Sequence, residues 1–176
     1  NLHYRADQLA AHLEGRGVLL SHERDEILDT GGGLRAAAPL LGGSPVFTMN
    51  TDSVWSGPNP LALLRAAWRP GTMEALLLCV PRTRAEGHEG AGDFVIGAGG
   101  TLTRGAGAVY TGAQIVATEG LDRIAERVFS LNRLWDDMLR RGTLYGLIYP
   151  GRWCDVGHPA GLEAAEAMLD LGDVRD

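Results

Sequence analysis

Residues 73–80, MEALLLCV, are apolar at every position from Ala75 to Val80. A strand that is half exposed alternates apolar with polar residues; one that is apolar throughout is buried on both faces. It needs a layer of structure above it and another below. Similar apolar runs recur at 45–50 (PVFTMN), 109–117 (VYTGAQIVA) and 143–150 (TLYGLIYP), with RWCDVG at 152–157. Between them lie stretches of helical period, at 7–14, 34–41, 60–69, 121–128, 131–141 and 159–169. Strands alternating with helices predict an α/β fold with a largely parallel sheet, whose ligands sit off the carboxyl ends of the strands.

The punctuation fills in this outline. In DQLAAHLE, residues 7–14, Leu9, Ala10 and Leu13 share one helical face, and Gly15 stops the helix. Val18-Leu19-Leu20 reads as a short strand, and PVFTMN as a strand of the fully buried kind. Asn59 is placed to cap a helix that has Pro60 at its first position. Residues 81–92 form a polar loop, and FVIGAGGTLTRG a hairpin turning at Gly97 to Gly100. Glycine is abundant, 25 of 176 residues, and its clusters at 31–33, 97–100 and 105–107 read as loops rather than a repeat.

Charge narrows the partners. The net charge is −6, against the basic surface that nucleic acid or an anionic membrane requires. All 16 basic residues are Arg, so no lysine chemistry is available within these residues. Cys79 and Cys154 are isolated thiols, which fits a reduced, cytoplasmic setting better than a disulfide scaffold. No apolar run approaches the roughly 18 residues of a membrane span. Oligomeric state leaves no mark in the sequence.

Five segments hold candidates for chemistry. Asp52, in Asn50-Thr51-Asp52, follows a buried strand, and Asp155 closes Arg152-Trp153-Cys154-Asp155. Each fits an Asx-turn or a helix cap. Each also fits an oxygen ligand for Mg²⁺, an ion held by one or two carboxylates plus substrate phosphates. Thr30-Gly31-Gly32-Gly33 reads as a turn whose backbone N–H groups can meet a flat ligand. It lacks the Lys and the spacing of a P-loop. Asp93 sits at a hairpin entrance. In Tyr110-Thr111-Gly112, glycine inside a strand signals a bulge or a close backbone approach. The histidines show no zinc-ligand spacing, and no Gly-x-Ser-x-Gly elbow occurs.

In order, LDTGGGLRAAAPLL, FTMNTDSVW, GDF, YTGAQIV and RWCDVGHPAGLEAAEAML resemble the successive blocks of the sugar-1-phosphate nucleotidyltransferases. The short, single-domain type that joins UTP to N-acetylmuramate 1-phosphate is most similar, and the mannose-1-phosphate guanylyltransferases share much of the pattern. The resemblance implies a Rossmann-like, mixed, mostly parallel sheet flanked by helices, of the nucleotide-diphospho-sugar transferase type. It implies a nucleoside triphosphate and a sugar 1-phosphate as partners, and Mg²⁺ on Asp52 and Asp155 as the catalytic pair. Thr30, Gly31 and Gly32 are implied for the base and ribose, with Asn50 and Trp153 lining the site. Asp93, Thr111 and Gly112 are implied for the sugar. Asp29 stands where the family has Glu.

The family also opens with a strand, a Gly-rich loop carrying Arg, and a Pro-Lys-Pro segment, which cradle the triphosphate. None occurs here, and Asn1-Leu2-His3-Tyr4 reads as the tail of a strand already under way. The expectation is therefore a single domain, 1–176, without its first strand and loop, which alone turns over poorly. Two rival readings remain. One is a non-catalytic sugar-nucleotide-binding module. The other is a glycosyltransferase, of whose Asp-x-Asp motif Asn50-Thr51-Asp52 supplies half.

Overall fold

A computed structural model describes residues 1–170. It divides into two compact units, one of Asn1–Val46 with Ala117–Asp137, the other of Phe47–Val116 with the chain from Met138 onward. The expected α/β class is what forms.

The first unit carries α1 (Ala6–Leu13), α2 (Asp29–Ala37) and the start of α4 (Asn132–Arg141). The helix expected at 7–14 is present, although α1 buries no residue. Residues 18–20 form no strand, and Val18 and Leu19 are exposed. Pairing instead occurs a few residues on, where Leu2 and His22 make a parallel bridge. The buried Glu23 fixes it by accepting from the Asn1 amide at 2.6 Å and the Leu28 N–H at 2.7 Å.

Two expectations fail here for physical reasons. Gly31 to Gly33 are not a loop before a helix; they lie inside α2. What they provide is space. A Cβ on Gly31 would stand 2.4 Å from the Phe129 ring, and one on Gly32 would stand 2.6 Å from the Arg127 carbonyl. Close contact lets both glycine N–H groups donate to the Phe129 carbonyl, at 2.9 and 3.0 Å. The helix expected over 121–128 shrinks to one 3-10 turn, Leu121–Arg123. The Arg35 guanidinium donates to the carbonyls of Leu121, Ile124, Glu126 and Arg127. A helix over 121–128 would need the Leu121 and Ile124 carbonyls for its own N–H groups.

In the second unit, the main sheet runs β6 (Leu102–Arg104), β5 (Phe94–Ile96), β7 (Ala108–Val116), β3 (Ala75–Pro81), β8 (Leu144–Ile148), with β1 (Val46–Met49) also paired to β7. A smaller sheet runs β2 (Ser53–Ser56), β9 (Arg152–Asp155), β4 (Ala85–Glu86). The main sheet is mixed: β3 pairs parallel with β8 and antiparallel with β7. As its sequence requires, β3 is buried from Ala75 to Val80. Leu76, Leu78 and Val80 meet Ile115 and Tyr149 in one core, which also takes in Leu64 of α3 (Pro60–Ala67). The Asn59 side chain caps α3, accepting from the Leu61 and Ala62 N–H groups. The β1 strand is not buried on both faces: Phe47 and Met49 are 43% and 42% exposed, because side chains alternate and only the face of Val46 and Thr48 turns inward. The chain closes through β9 into α5 (Pro159–Asp170).

Candidate functional site

The centre of the second unit is an irregularity in β7. Leu77 of β3 lies opposite Gln114, but Cys79 lies opposite Tyr110, so residues 111 to 113 of β7 face Leu78 alone. This bulge, foreshadowed by the mid-strand glycine, turns on Gly112, whose φ of +89° favours glycine. A Cβ there would stand 2.7 Å from the Cβ of Asn50. The Asn50 N–H donates to the Gly112 carbonyl at 3.0 Å, which holds the end of β1 against the bulge.

The bulge frees the Thr111 carbonyl to accept two further bonds. Ser53 Oγ donates to it at 3.2 Å and Trp153 Nε1 at 3.0 Å. Those residues belong to β2 and β9, antiparallel neighbours with Ser53 opposite Asp155. The Val156 N–H donates to the Asp52 carbonyl at 2.9 Å. Asp52 and Asp155, far apart in sequence, are therefore brought to one place by main-chain bonds. Their side chains converge. From the Cβ position on Gly157, Asp155 Oδ1 is 3.1 Å away and Asp52 Oδ2 is 3.5 Å away.

Asp155 is the better anchored of the two, since its Oδ1 accepts from the Gly157 N–H at 2.8 Å. Asp52 is exposed. Beneath them, Arg152 pairs with Glu86 through both its Nε and terminal nitrogens, at 3.0 and 3.1 Å, tying β9 to β4. Two carboxylates at one open point are an oxygen-only donor set, which suits a hard divalent cation with room for substrate oxygens. Among the described residues no group of three or more His, Cys, Asp or Glu gathers for a metal.

The remaining expected residues fall in distinct settings. The Thr111 side chain is buried, and its hydroxyl donates to the Leu78 carbonyl at 2.7 Å. Trp153 is 3% exposed and packs in the core. Asp93 is half-buried, with Oδ2 accepting from the Tyr110 N–H at 2.8 Å. Thr30, Gly31 and Gly32 belong to the first unit, where Thr30 Oγ1 accepts from the Leu131 N–H at 2.9 Å. Ser53 and His158 carry no motif of their own, and their bonds to Thr111 and Gly87 depend on segments remote in sequence.

Cys79, opposite Tyr110 at the edge of the bulge, is fully buried. Burial, aided by the Asp93 charge, pushes the Cys79 thiol from 9.0 up to about 12. Burial likewise pushes the Tyr110 hydroxyl up. A thiol that is harder to ionise folded than unfolded contributes stability present below pH 9 and lost as pH rises towards 12. Denaturant titrations at pH 8, 10 and 11 should show wild type losing stability over this range, and Cys79→Ala losing less. Equal loss in both would show that burial at 79 has no such consequence.

No protein-family model matches the chain. It is 36% identical over 183 residues to the N-acetylmuramate alpha-1-phosphate uridylyltransferase of Caulobacter vibrioides, an alignment covering 96% of this chain and 76% of that protein. It is 29% identical to the enzyme of the same name from Neisseria meningitidis, covering 88% of this chain and 68% of that protein. Among solved structures it is similar to an inositol-1-phosphate CTP transferase of T. maritima, with a TM-score of 0.71 at 14% identity, over 97% of this chain and 74% of that one.

Proposed function

This chain belongs to the sugar-1-phosphate nucleotidyltransferases, and on that footing we propose that it joins UTP to N-acetylmuramate 1-phosphate with release of pyrophosphate. The observation that supports the chemistry is the meeting of Asp52 and Asp155 at one open point. The choice of base and sugar is supported by the two relatives that carry this activity in their names.

In such a reaction a phosphate oxygen of the sugar attacks the α-phosphorus of the nucleotide in line, and pyrophosphate leaves. The nucleophile is already an anion, so no general base is needed. The obstacle is the approach of two anions within a chain that is itself net negative. Catalysis is then positioning and charge neutralisation. Asp52 and Asp155 are the residues that would hold Mg²⁺, which when bound would supply positive charge to offset that of the phosphates.

The protein's own contribution is rigidity. Asp155 is fixed at its side chain by Gly157, and through its neighbour Trp153 by the Thr111 carbonyl. Asp52 is fixed at its main chain by Val156, and its neighbour Ser53 binds the same Thr111 carbonyl. Asp155 ends β9 and Asp52 sits in the bend immediately before β2, so both are held by the pairing of those two strands, which keeps their spacing as substrate arrives.

The test is pyrophosphate release from matched pairs, measured on the full-length protein. UTP with N-acetylmuramate 1-phosphate should exceed GTP with mannose 1-phosphate by at least about tenfold in kcat/KM, roughly 1.4 kcal/mol of discrimination. A faster guanosine pair would reverse the assignment. Tight binding of the uridine pair without pyrophosphate release would make the chain a binding module.

A further inference from the structure

Asp155 is followed by Val156-Gly157-His158, and His158 immediately precedes α5. Its imidazole makes two bonds in opposite directions. Nε2 lies 2.7 Å from the Gly87 carbonyl, and Nδ1 lies 3.2 Å from the Gly161 amide nitrogen. A carbonyl only accepts and an amide N–H only donates, so these partners fix the tautomer: Nε2 carries the proton and Nδ1 accepts. The ring bridges the loop after β4 and the first turn of α5.

Between those two glycines lies the Asp155 peptide. A Cβ on Gly87 would stand 2.4 Å from the Asp155 carbonyl oxygen, and one on Gly161 would stand 2.2 Å from the same atom. Gly87 also has a φ of +71°, so glycine is required there on two counts. The Asp155 carbonyl is pressed by backbone at Gly87 and Gly161, with the Cys154 thiol beside it donating weakly to the Asp155 and Gly161 carbonyls, and His158 ties the two glycine segments together.

We infer that His158 is a positioning residue, whose bridge from Gly87 to Gly161 clamps the Asp155 peptide and so sets where the Asp155 carboxylate points. This rests on the reading of Asp52 and Asp155 as the metal-holding pair. His158 itself touches neither carboxylate oxygen in any hydrogen bond it makes here. A group acting behind a metal ligand tunes affinity by its grip on that ligand, commonly by about 10- to 100-fold. The fold does not hang on this bridge, because the Arg152–Glu86 pair independently joins β9 to β4.

The two bonds are separable by substitution. His158→Asn keeps an acceptor near the Nδ1 position and drops the link to Gly87. His158→Gln keeps a donor near Nε2 and reaches Gly87. The measurement is Mn²⁺ affinity, from loss of the free-ion electron paramagnetic resonance signal, alongside the melting temperature. Asp155→Asn is the control for the site itself. Expected is a rise of about tenfold in the Mn²⁺ dissociation constant for His158→Asn with little change in melting temperature, and recovery to within about threefold of wild type for His158→Gln.

If Asp155→Asn weakens Mn²⁺ but both His158 variants bind it as wild type does, the clamp is overturned. If Asn restores affinity and Gln does not, His158 is only a helix cap, and the clamp is again overturned. If Asp155→Asn binds Mn²⁺ unchanged, the metal reading falls, and the positioning role falls with it.

Discussion

In the full-length protein, Asp155→Asn should lower pyrophosphate release about 10³-fold while leaving the melting temperature within about 2 °C of wild type. The carboxamide oxygen can still accept from the Gly157 N–H, so the turn after β9 is preserved. What disappears is one negative charge at the point where Asp52 and Asp155 converge. Charge neutralisation between two phosphates is worth several kcal/mol, and about 4 kcal/mol corresponds to the stated factor. Asp52→Asn should act in the same direction but less severely, about 10²-fold, because Asp52 is exposed and less firmly held. Turnover and melting temperature measured on the same preparations decide the matter. If both variants keep wild-type turnover, the pair has no catalytic part.

A large effect on stability is expected from Gly31→Ala. Methyl groups on helices usually stabilise, by nearly 1 kcal/mol over glycine. At this position the added carbon would stand 2.4 Å from the Phe129 ring and 2.9 Å from the Phe129 carbonyl oxygen. The ring can rotate away, but the carbonyl is main chain and already accepts from Gly31 and Gly32. The strain should cost about 3 kcal/mol, measured by denaturant unfolding without any substrate. A neutral or stabilised Gly31→Ala would mean that the segment around Phe129 gives way freely. A loss seen only in nucleotide affinity would instead make the triplet a ligand surface.

These two cases mark the limits of the sequence. Asp52 and Asp155 were legible because each ends an apolar run, and strand ends in α/β folds are where ligands collect. The bulge at Gly112 was legible too, since a glycine inside a strand asks for a reason. The triplet at 31–33 misled because glycine serves both turns and crowded helices, and only the position of Phe129 separates the two uses. The stretch 121–128 misled because its helical period is real, yet Arg35, remote in sequence, takes the Leu121 and Ile124 carbonyls that a helix would use. Val18-Leu19-Leu20 has strand composition but found no partner strand, and pairing is a property of two segments rather than one.

The Thr111 carbonyl carries a consequence for anyone scanning this protein by substitution. It is the shared acceptor for Ser53 and Trp153, and so the peg on which β2 and β9 hang. Being a main-chain oxygen, it survives any exchange of the side chain at 111. Alanine there would remove only the hydroxyl's bond to Leu78, and the position would score as a core residue of modest weight. The peg becomes visible only when its hangers are cut, singly and then together. Ser53→Ala and Trp153→Phe should each be mild, and their combination worse than the sum. A residue can thus organise a candidate site while its part goes unseen in substitutions made one at a time.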